Sequence, residues 1–285
     1  MRPNNRRSLE ELSSGEIVRA CEQNYVDYWR CVGKSPNAEF SEAGGITRCI
    51  TGLPQEIFNV VMSCRLSQDD LDERINTMID HFRSRRLNLI WHVGELTEPR
   101  DLGSCLEARG YPHDYDLAAM AIDLDDDEED IDLPSSVAVR IVSNSEDCGQ
   151  WVECLTRSWE SPPEVAPWML RNACFNTSIE HDRRLSLPRK LYLGLLDGKP
   201  VGAAMLFWDS DVPGLQDVGT VHSSRGKGVG GTMVKAAMRD ARAMGFRYSV
   251  VLSTVEGVDM YEKVGFRHFG KLPEHSMDFR EKSCP

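Results

Sequence analysis

Four glycines fall within six residues in the segment Arg225-Gly226-Lys227-Gly228-Val229-Gly230-Gly231-Thr232. Ahead of it, Leu215 to Val221 reads as a strand. Behind it, Val229 to Met244 carries apolar residues at 229, 233, 237, 241 and 244, the stripe of a helix that Gly245 closes. A chain that passes this tightly from strand to helix leaves the N–H groups of the helix start pointing outward together, an arrangement that suits phosphate. Glycine serves there because side chains would block the approach of a pyrophosphate and because some positions need positive φ. Arg225 and Lys227 add charge.

Spacing separates the phosphate-binding turns that such a segment could form. A P-loop needs GxxxxGK followed by Ser or Thr, but Val221 stands where its first Gly belongs and Gly228 follows the lysine. A dinucleotide turn, GxGxxG, is literally present as Gly226, Gly228 and Gly231. That turn, however, follows the first strand of its domain and is answered by an acidic residue about 20 positions on. Here several strands come first, and Leu252, Ser253 and Thr254 hold that place.

Those earlier elements can be read in order. Val137 to Val142 alternates as a strand, and Asn144 or Ser145 can cap a helix carrying Trp151, Val152, Leu155 and Trp159 on one face. After Pro162-Pro163 a second helical stretch lies near Trp168 to Ile179. Lys190 to Leu196 and Pro200 to Trp208 form two strands joined at Asp197-Gly198. Beyond the glycine-rich segment come a strand at Phe246 to Leu252, a short helix at Glu256 to Val264 closed by Gly265, and a strand at Phe266 to Leu272.

On these residues the second half resembles the GNAT superfamily of acyl-CoA N-acyltransferases. The family's pyrophosphate motif, (Arg/Gln)xxGx(Gly/Ala), matches Arg225, Gly228 and Gly230, and its later YxxxGF segment matches Tyr261-Glu262-Lys263-Val264-Gly265-Phe266. The two matches stand in the family's order, one helix and one strand apart. The sequence departs from the family at His222, where Pro is frequent, and at Ser253-Thr254, where many members carry Asn.

The resemblance implies an α+β fold, a central, mostly antiparallel, splayed sheet flanked by helices. In the first half, a helix at Ile75 to Phe82, a strand at Leu87 to Val93 and a helix at Asp101 to Arg109 ending in Gly110-Tyr111 echo the same plan without any RxxGxG. The expected organisation is therefore a duplicated one: residues 1–123 a degenerate GNAT-like domain that walls the acceptor cleft, 124–136 an acidic linker, and 137–285 the catalytic domain. The block Asp125-Asp126-Asp127-Glu128-Glu129-Asp130 followed by Pro134-Ser135-Ser136 has no hydrophobic period, which is why it reads as a linker or a long acidic loop.

By resemblance the chain is an N-acetyltransferase that carries an acetyl group from acetyl-CoA to a small-molecule primary amine, with both substrates bound together and no metal. The loop from Gly226 to Gly231, with Val229 and Thr232 at the helix start, holds the pyrophosphate, and Val218, Gly219 and Thr220 offer backbone groups to pantetheine, with Ser253 opposite. Tyr261 stands where the family places the acid that meets the departing thiolate. Asp217 is the candidate base by position; Glu160, Glu164, Asp209 and Asp211 are alternatives. Trp159, Trp168, Phe207 and Trp208 either line an acceptor pocket or belong to the core. A non-catalytic acyl-CoA sensor would need the loop but not Tyr261.

Composition closes off other classes. A net charge of −12 repels polyanions, so no nucleic-acid partner is expected. The apolar runs Leu191 to Leu196 and Val201 to Trp208 fall well short of the roughly 20 residues that span a bilayer. Met1 to Glu11 turns acidic where a secretory signal turns apolar, so the expected place is the cytoplasm. The nine cysteines form no CxxC pair and read as reduced thiols; no local signature around Cys154, Cys174 or any other supplies the positioned base that a catalytic cysteine needs.

Overall fold

The computed structural model describes residues 7–124, 136–172, 175, 187–209 and 212–279. The acidic segment, apart from residues 124 and 136, lies outside them, as do Cys174 and Asp211.

The described strands are β1 (Glu39–Ser41), β2 (Ile46–Ile50), β3 (Asn59–Cys64), β4 (Leu89–His92), β5 (Tyr115–Asp123), β6 (Val137–Ile141), β7 (Arg189–Leu196), β8 (Lys199–Phe207), β9 (Gly214–Thr220), β10 (Tyr248–Ser253) and β11 (Arg267–Met277). They form one sheet in the order β1-β2-β3-β4-β11-β5-β10-β9-β8-β7-β6. Only β9 with β10 and β3 with β4 run parallel, so the sheet is mostly antiparallel, as expected. Both parallel pairs are brief. β9 meets β10 at Gly214↔Val250 and Leu215↔Val251 and then continues to Thr220 unpaired on that side. β3 meets β4 only at Val60↔Ile90 and Val61↔Trp91. The splay thus occurs twice, once in each half.

The two halves do not keep their last strands to themselves. β5, from the first half, pairs with β10 from Tyr248↔Asp123 to Ser253↔Ala118. β11, from the second, lies between β4 and β5, pairing Leu89↔Met277 on one side and Tyr115↔Glu274 on the other. Each half therefore places its final strand inside the other's pairing.

Helices cover both faces. On one lie α2 (Leu71–Ser84), α3 (Leu102–Glu107), α6 (Val229–Ala243) and α7 (Val255–Val264), packed on Val61, Leu89, Trp91, Met120 and Val251. On the other lie α1 (Ser14–Val32), α4 (Ser145–Ser158) and α5 (Val165–Arg171). After Pro163, α5 covers Val165–Arg171 and so begins ahead of the expected Trp168; residues 173–174 and 176–179 of that expected stretch lie outside the described ones.

α1 is not among the expected elements, although its signals in the sequence are plain. Ser13 and Glu16 form a capping box, with Ser13 N donating to Glu16 Oε2 at 2.9 Å, and Ile17, Val18, Cys21, Tyr28, Trp29 and Val32 repeat at helical spacing. α1 lies across β9, β10, β5 and β11 at the junction of the halves. Its buried Asn24 donates from Nδ2 to the carbonyls of Phe207 (3.2 Å) and Val212 (3.0 Å) and accepts from Gln216 Nε2 at 2.9 Å. Gly214 makes room, since a Cβ there would stand 2.1 Å from Asn24 Oδ1.

A buried carbonyl stripped of its donor costs about 1–3 kcal/mol. Asn24→Leu should therefore destabilise the protein by roughly 2–4 kcal/mol, since it strands two carbonyls at once. Urea denaturation of the variant beside the parent protein measures this.

Candidate active site

The glycine-rich turn is fixed from beneath by two other glycines. Gly194 on β7 and Gly202 on β8 are cross-strand partners. A Cβ at Gly194 would stand 2.6 Å from Val229 Cγ1 and 2.9 Å from Met233 Sδ, and one at Gly202 would stand 2.8 Å from Met233 Cε. The bare patch admits the first turn of α6 closely against the sheet, with Val229 and Met233 fully buried in it. Val229 thus anchors the turn through its side chain, a role that the motif alone did not disclose.

Above that anchor the turn is bent by Gly226 (φ +74) and by Gly228 (φ +82), the N-cap of α6, both in the left-handed region that side chains resist. Among the described residues no carbonyl or side chain accepts from the N–H groups of Gly226 to Gly231; the first to be satisfied is Thr232 N, bonded to Gly228 O at 3.0 Å. Gly230 and Gly231 are not demanded by packing, because a Cβ at either would meet its nearest neighbours at 3.6–3.7 Å, an ordinary contact. What their bareness preserves is access to the amides of a helix N-terminus, which suits an anionic diphosphate.

The charges expected around this turn divide. Arg225 is spent inward, donating from Nε to Thr220 O (3.2 Å) and from Nη2 to Ser158 O (2.9 Å), so it ties the turn to β9 and α4. Lys227 is exposed. Thr232 is buried, and its hydroxyl donates to Gly228 O at 2.8 Å.

Val218, Gly219 and Thr220 lie on the part of β9 that has left β10, and all three are half-buried. A Cβ at Gly219 would fall 2.0 Å from Ser158 Oγ, so glycine lets the end of α4 pack against the strand. Asp217 precedes them at φ +53, within the irregularity of the β8–β9 register, where an Asp is better tolerated than most side chains. The residue as a whole is half-buried but its carboxyl group lies deep, and burial pushes it up to about 7 against the lowering influence of a hydrogen bond from Tyr28. Tyr28 Oη donates to this carboxylate at 3.1 Å from each oxygen. The other carboxylates considered at this site, Glu160, Glu164 and Asp209, are exposed. Of the aromatics, Phe207 is fully buried against Tyr28, and Trp168 is buried against Phe58 and Phe175. Trp159 and Trp208 are half-buried.

On the far side of the opening, Ser253 ends β10 buried, its hydroxyl donating to Thr254 O at 2.8 Å. Tyr261 lies on α7, nearly enclosed, its ring edge-on to Phe266 at 5.3 Å. Burial raises its phenol above the ordinary value, and its hydroxyl has no hydrogen-bond partner among the described residues. The start of α7 is held from the first half: Val255 N donates to Tyr115 Oη at 2.8 Å.

The corresponding opening in the first half is closed by its own chain. Glu98 N donates to Cys64 O at 2.8 Å and Leu66 N to Glu98 O at 3.0 Å, stitching the stretch after β4 onto the end of β3. The buried carboxylate of Glu22 accepts from Glu95 N (2.7 Å) and Leu96 N (2.8 Å), which fixes that stretch from α1. The turn into α2 carries no glycine, and Asp72 and Glu73 occupy the helix's first turn. Those carboxylates already complement the positive end of α2 and repel a further anion, whereas the first turn of α6 carries no acidic residue. Beneath the closed opening, His92 Nδ1 stands 3.5 Å from Glu274 Oε1, both buried, and burial favours the neutral form of each. Among the described residues no group of three or more His, Cys, Asp or Glu is placed to hold a metal, and no helix is long and apolar enough to cross a membrane.

Residues 151–266 match the model of the acetyltransferase (GNAT) family. No curated protein sequence matches the chain. A solved GCN5-related N-acetyltransferase from Kribbella flavida is 16% identical, with a TM-score of 0.66 over 91% of this chain and 95% of that one. Another, from Sphaerobacter thermophilus, is 16% identical with a TM-score of 0.60, covering 83% of this chain and 77% of its own. A tandem GNAT protein from the clavulanic acid biosynthesis pathway is 12% identical, with a TM-score of 0.55 over 95% of this chain and 98% of that one. These likenesses are of fold, and they extend over both halves.

Because Gly230 is bare without being crowded, Gly230→Val should leave the melting temperature within a few degrees of the parent while weakening acetyl-CoA binding by about tenfold or more, as expected when a loop amide is screened from a phosphate worth about 1.5–3 kcal/mol in charge-assisted bonding. Calorimetric titration together with a thermal melt separates the two effects.

Proposed function

We propose that this chain, whose residues 151–266 match the acetyltransferase (GNAT) family, transfers an acetyl group from acetyl-CoA to the primary amine of a small molecule, by direct attack in a ternary complex. The observation that carries this reading is the row of unengaged amides from Gly226 to Gly231 at the start of α6, beside a strand that has parted from its neighbour.

In this reading the amides of the turn hold the diphosphate of the donor, and the free edge of Val218 to Thr220 holds pantetheine. A backbone N–H on that edge polarises the thioester carbonyl; one such donor is worth roughly 10²–10³ in rate elsewhere. Asp217 takes the proton of the acceptor ammonium. The freed amine nitrogen then bonds to the carbonyl carbon and gives up its second proton to water as the carbon–sulfur bond breaks and the thiolate leaves.

Tyr261 faces that thiolate. A phenol near 10 and a thiol near 8.5 already make full proton transfer uphill by about 2 kcal/mol, and burial raises the phenol further. Tyr261 therefore works as a hydrogen-bond donor that stabilises the departing sulfur, and solvent completes its protonation. Exposed acidic side chains and a net charge of −12 favour a cationic acceptor.

The test is thiol release from acetyl-CoA with spermidine, tryptamine, glucosamine and a lysine peptide. Release with at least one of them, above the rate with none, is expected; calorimetric silence with acetyl-CoA would end the proposal. Tyr261→Phe should lower kcat by about 10–100-fold with little change in acetyl-CoA affinity. Because burial places the Asp217 carboxyl near 7, kcat/KM should rise with pH through about 7 and level off above it, a limb that Asp217→Asn removes along with most of the turnover.

A further inference from the structure

Asp217 is reached by one side chain from a distant part of the sequence. Tyr28, on α1, is 189 residues away along the chain and is 5% exposed, and its hydroxyl sits 3.1 Å from both carboxylate oxygens. We propose that Tyr28 is the positioning residue of Asp217: its hydroxyl straddles the two carboxylate oxygens, fixes the plane in which the group meets the acceptor amine, and makes the first half part of the catalytic site. This rests on Asp217 being the base.

The geometry explains why a second element is needed. A residue at φ +53 leaves the regular alternation of its strand, so β9 alone does not determine where the carboxylate points. α1 supplies that determination from a rigid place. Asn24, one turn earlier, is bonded to Phe207 O and Val212 O, and Tyr28 itself packs edge-on to Phe207 at 5.9 Å. The hydroxyl thus cannot drift without moving a helix tied to the end of β8 at Phe207 and to Val212 just ahead of β9. Each carboxylate oxygen keeps a second lone pair, which leaves room for an ammonium to donate.

Charge around Asp217 is sparse. α1 presents Tyr28 and Tyr25; Glu274 on β11 acts on Tyr25, as does Asp217 itself. α4 presents Ser158 beside Gly219 and β8 presents Ala203 and Met205, while β10 has parted from β9 before Asp217. Burial raises the carboxyl and the Tyr28 bond lowers it, and these are the influences upon it. Loss of the hydroxyl must therefore move its titration upward, because a bond that favours the charged form is removed.

The sign on stability follows. A carboxyl whose folded value lies above its unfolded one stabilises the protein when protonated, and that contribution is lost as pH rises towards the folded value. For the parent protein the loss runs from about 4 to about 7. Glu274, raised to about 8, adds a second decline that every variant at Tyr28 shares.

The experiment compares the full-length parent, Tyr28→Phe, Asp217→Asn and a protein carrying 3-fluorotyrosine at position 28. Melting temperature is followed from pH 5 to 9, and kcat/KM over the same range with the fastest amine of the four named above. Tyr28→Phe should move the kinetic limb and the levelling of the melting curve up by about 0.5–1 pH unit. Fluorotyrosine, a stronger donor that fills the same space, should move both downward, and it serves where the phenylalanine variant does not fold. A limb that stays in place in either variant, whatever happens to overall stability, overturns the role of Tyr28. Undiminished turnover in Asp217→Asn instead removes Asp217 as the base, and is thereby told apart from failure of the tyrosine alone.

Discussion

The pairing of β5 with β10 on one edge and β11 on the other joins everything else. Backbone hydrogen bonds along a buried strand cannot be left unmade without cost, so the first half's last strand has to sit inside the second half's sheet, and the reverse holds for β11. Once that exchange is made, α1 has a single place to lie, across the shared strands, and Tyr28 and Asn24 come to rest over β9. Tyr115, on β5 itself, reaches the start of α7 and so orients the helix that bears Tyr261. Both side chains proposed for the chemistry, Asp217 and Tyr261, are thus steadied by residues from the opposite half.

The two halves solve one architectural problem in opposite ways. A parallel pair that parts after two residues exposes strand edges, which must be satisfied by something. In the first half the chain satisfies them itself, through Glu98 and the Glu22 carboxylate. In the second half β9 keeps a free edge at Val218 to Thr220, and the amides of the next turn stay unengaged. The difference lies in local sequence: glycines at 226, 228, 230 and 231 against Arg65 to Asp70, which has none.

Much of this was written in local patterns. The α6 stripe and the closing Gly265 follow from period and turn chemistry, and the positive φ expected somewhere in the turn falls at Gly226 and Gly228. Other features were present in sequence but went unread: the Ser13 to Glu16 box and the apolar repeat of α1, and the paired Gly194 and Gly202 beneath Val229. The contact between Tyr28 and Asp217 was not legible, because no local rule links residues 189 positions apart. Arg225 illustrates a subtler limit. Its motif marks the turn, but only the fold brings its guanidinium against the carbonyls of Thr220 and Ser158.

The exchanged strands also bear on how such a molecule is made. During synthesis β5 emerges early, yet its neighbours β10 and β11 are not available until residues 248–277 have left the ribosome. Contacts that span so much chain form slowly, since loop-closure entropy must be met before they reward it. The nascent first half therefore waits with the continuous apolar run Leu117 to Ile122 uncovered, and chaperone protection during that interval is a natural demand of this topology.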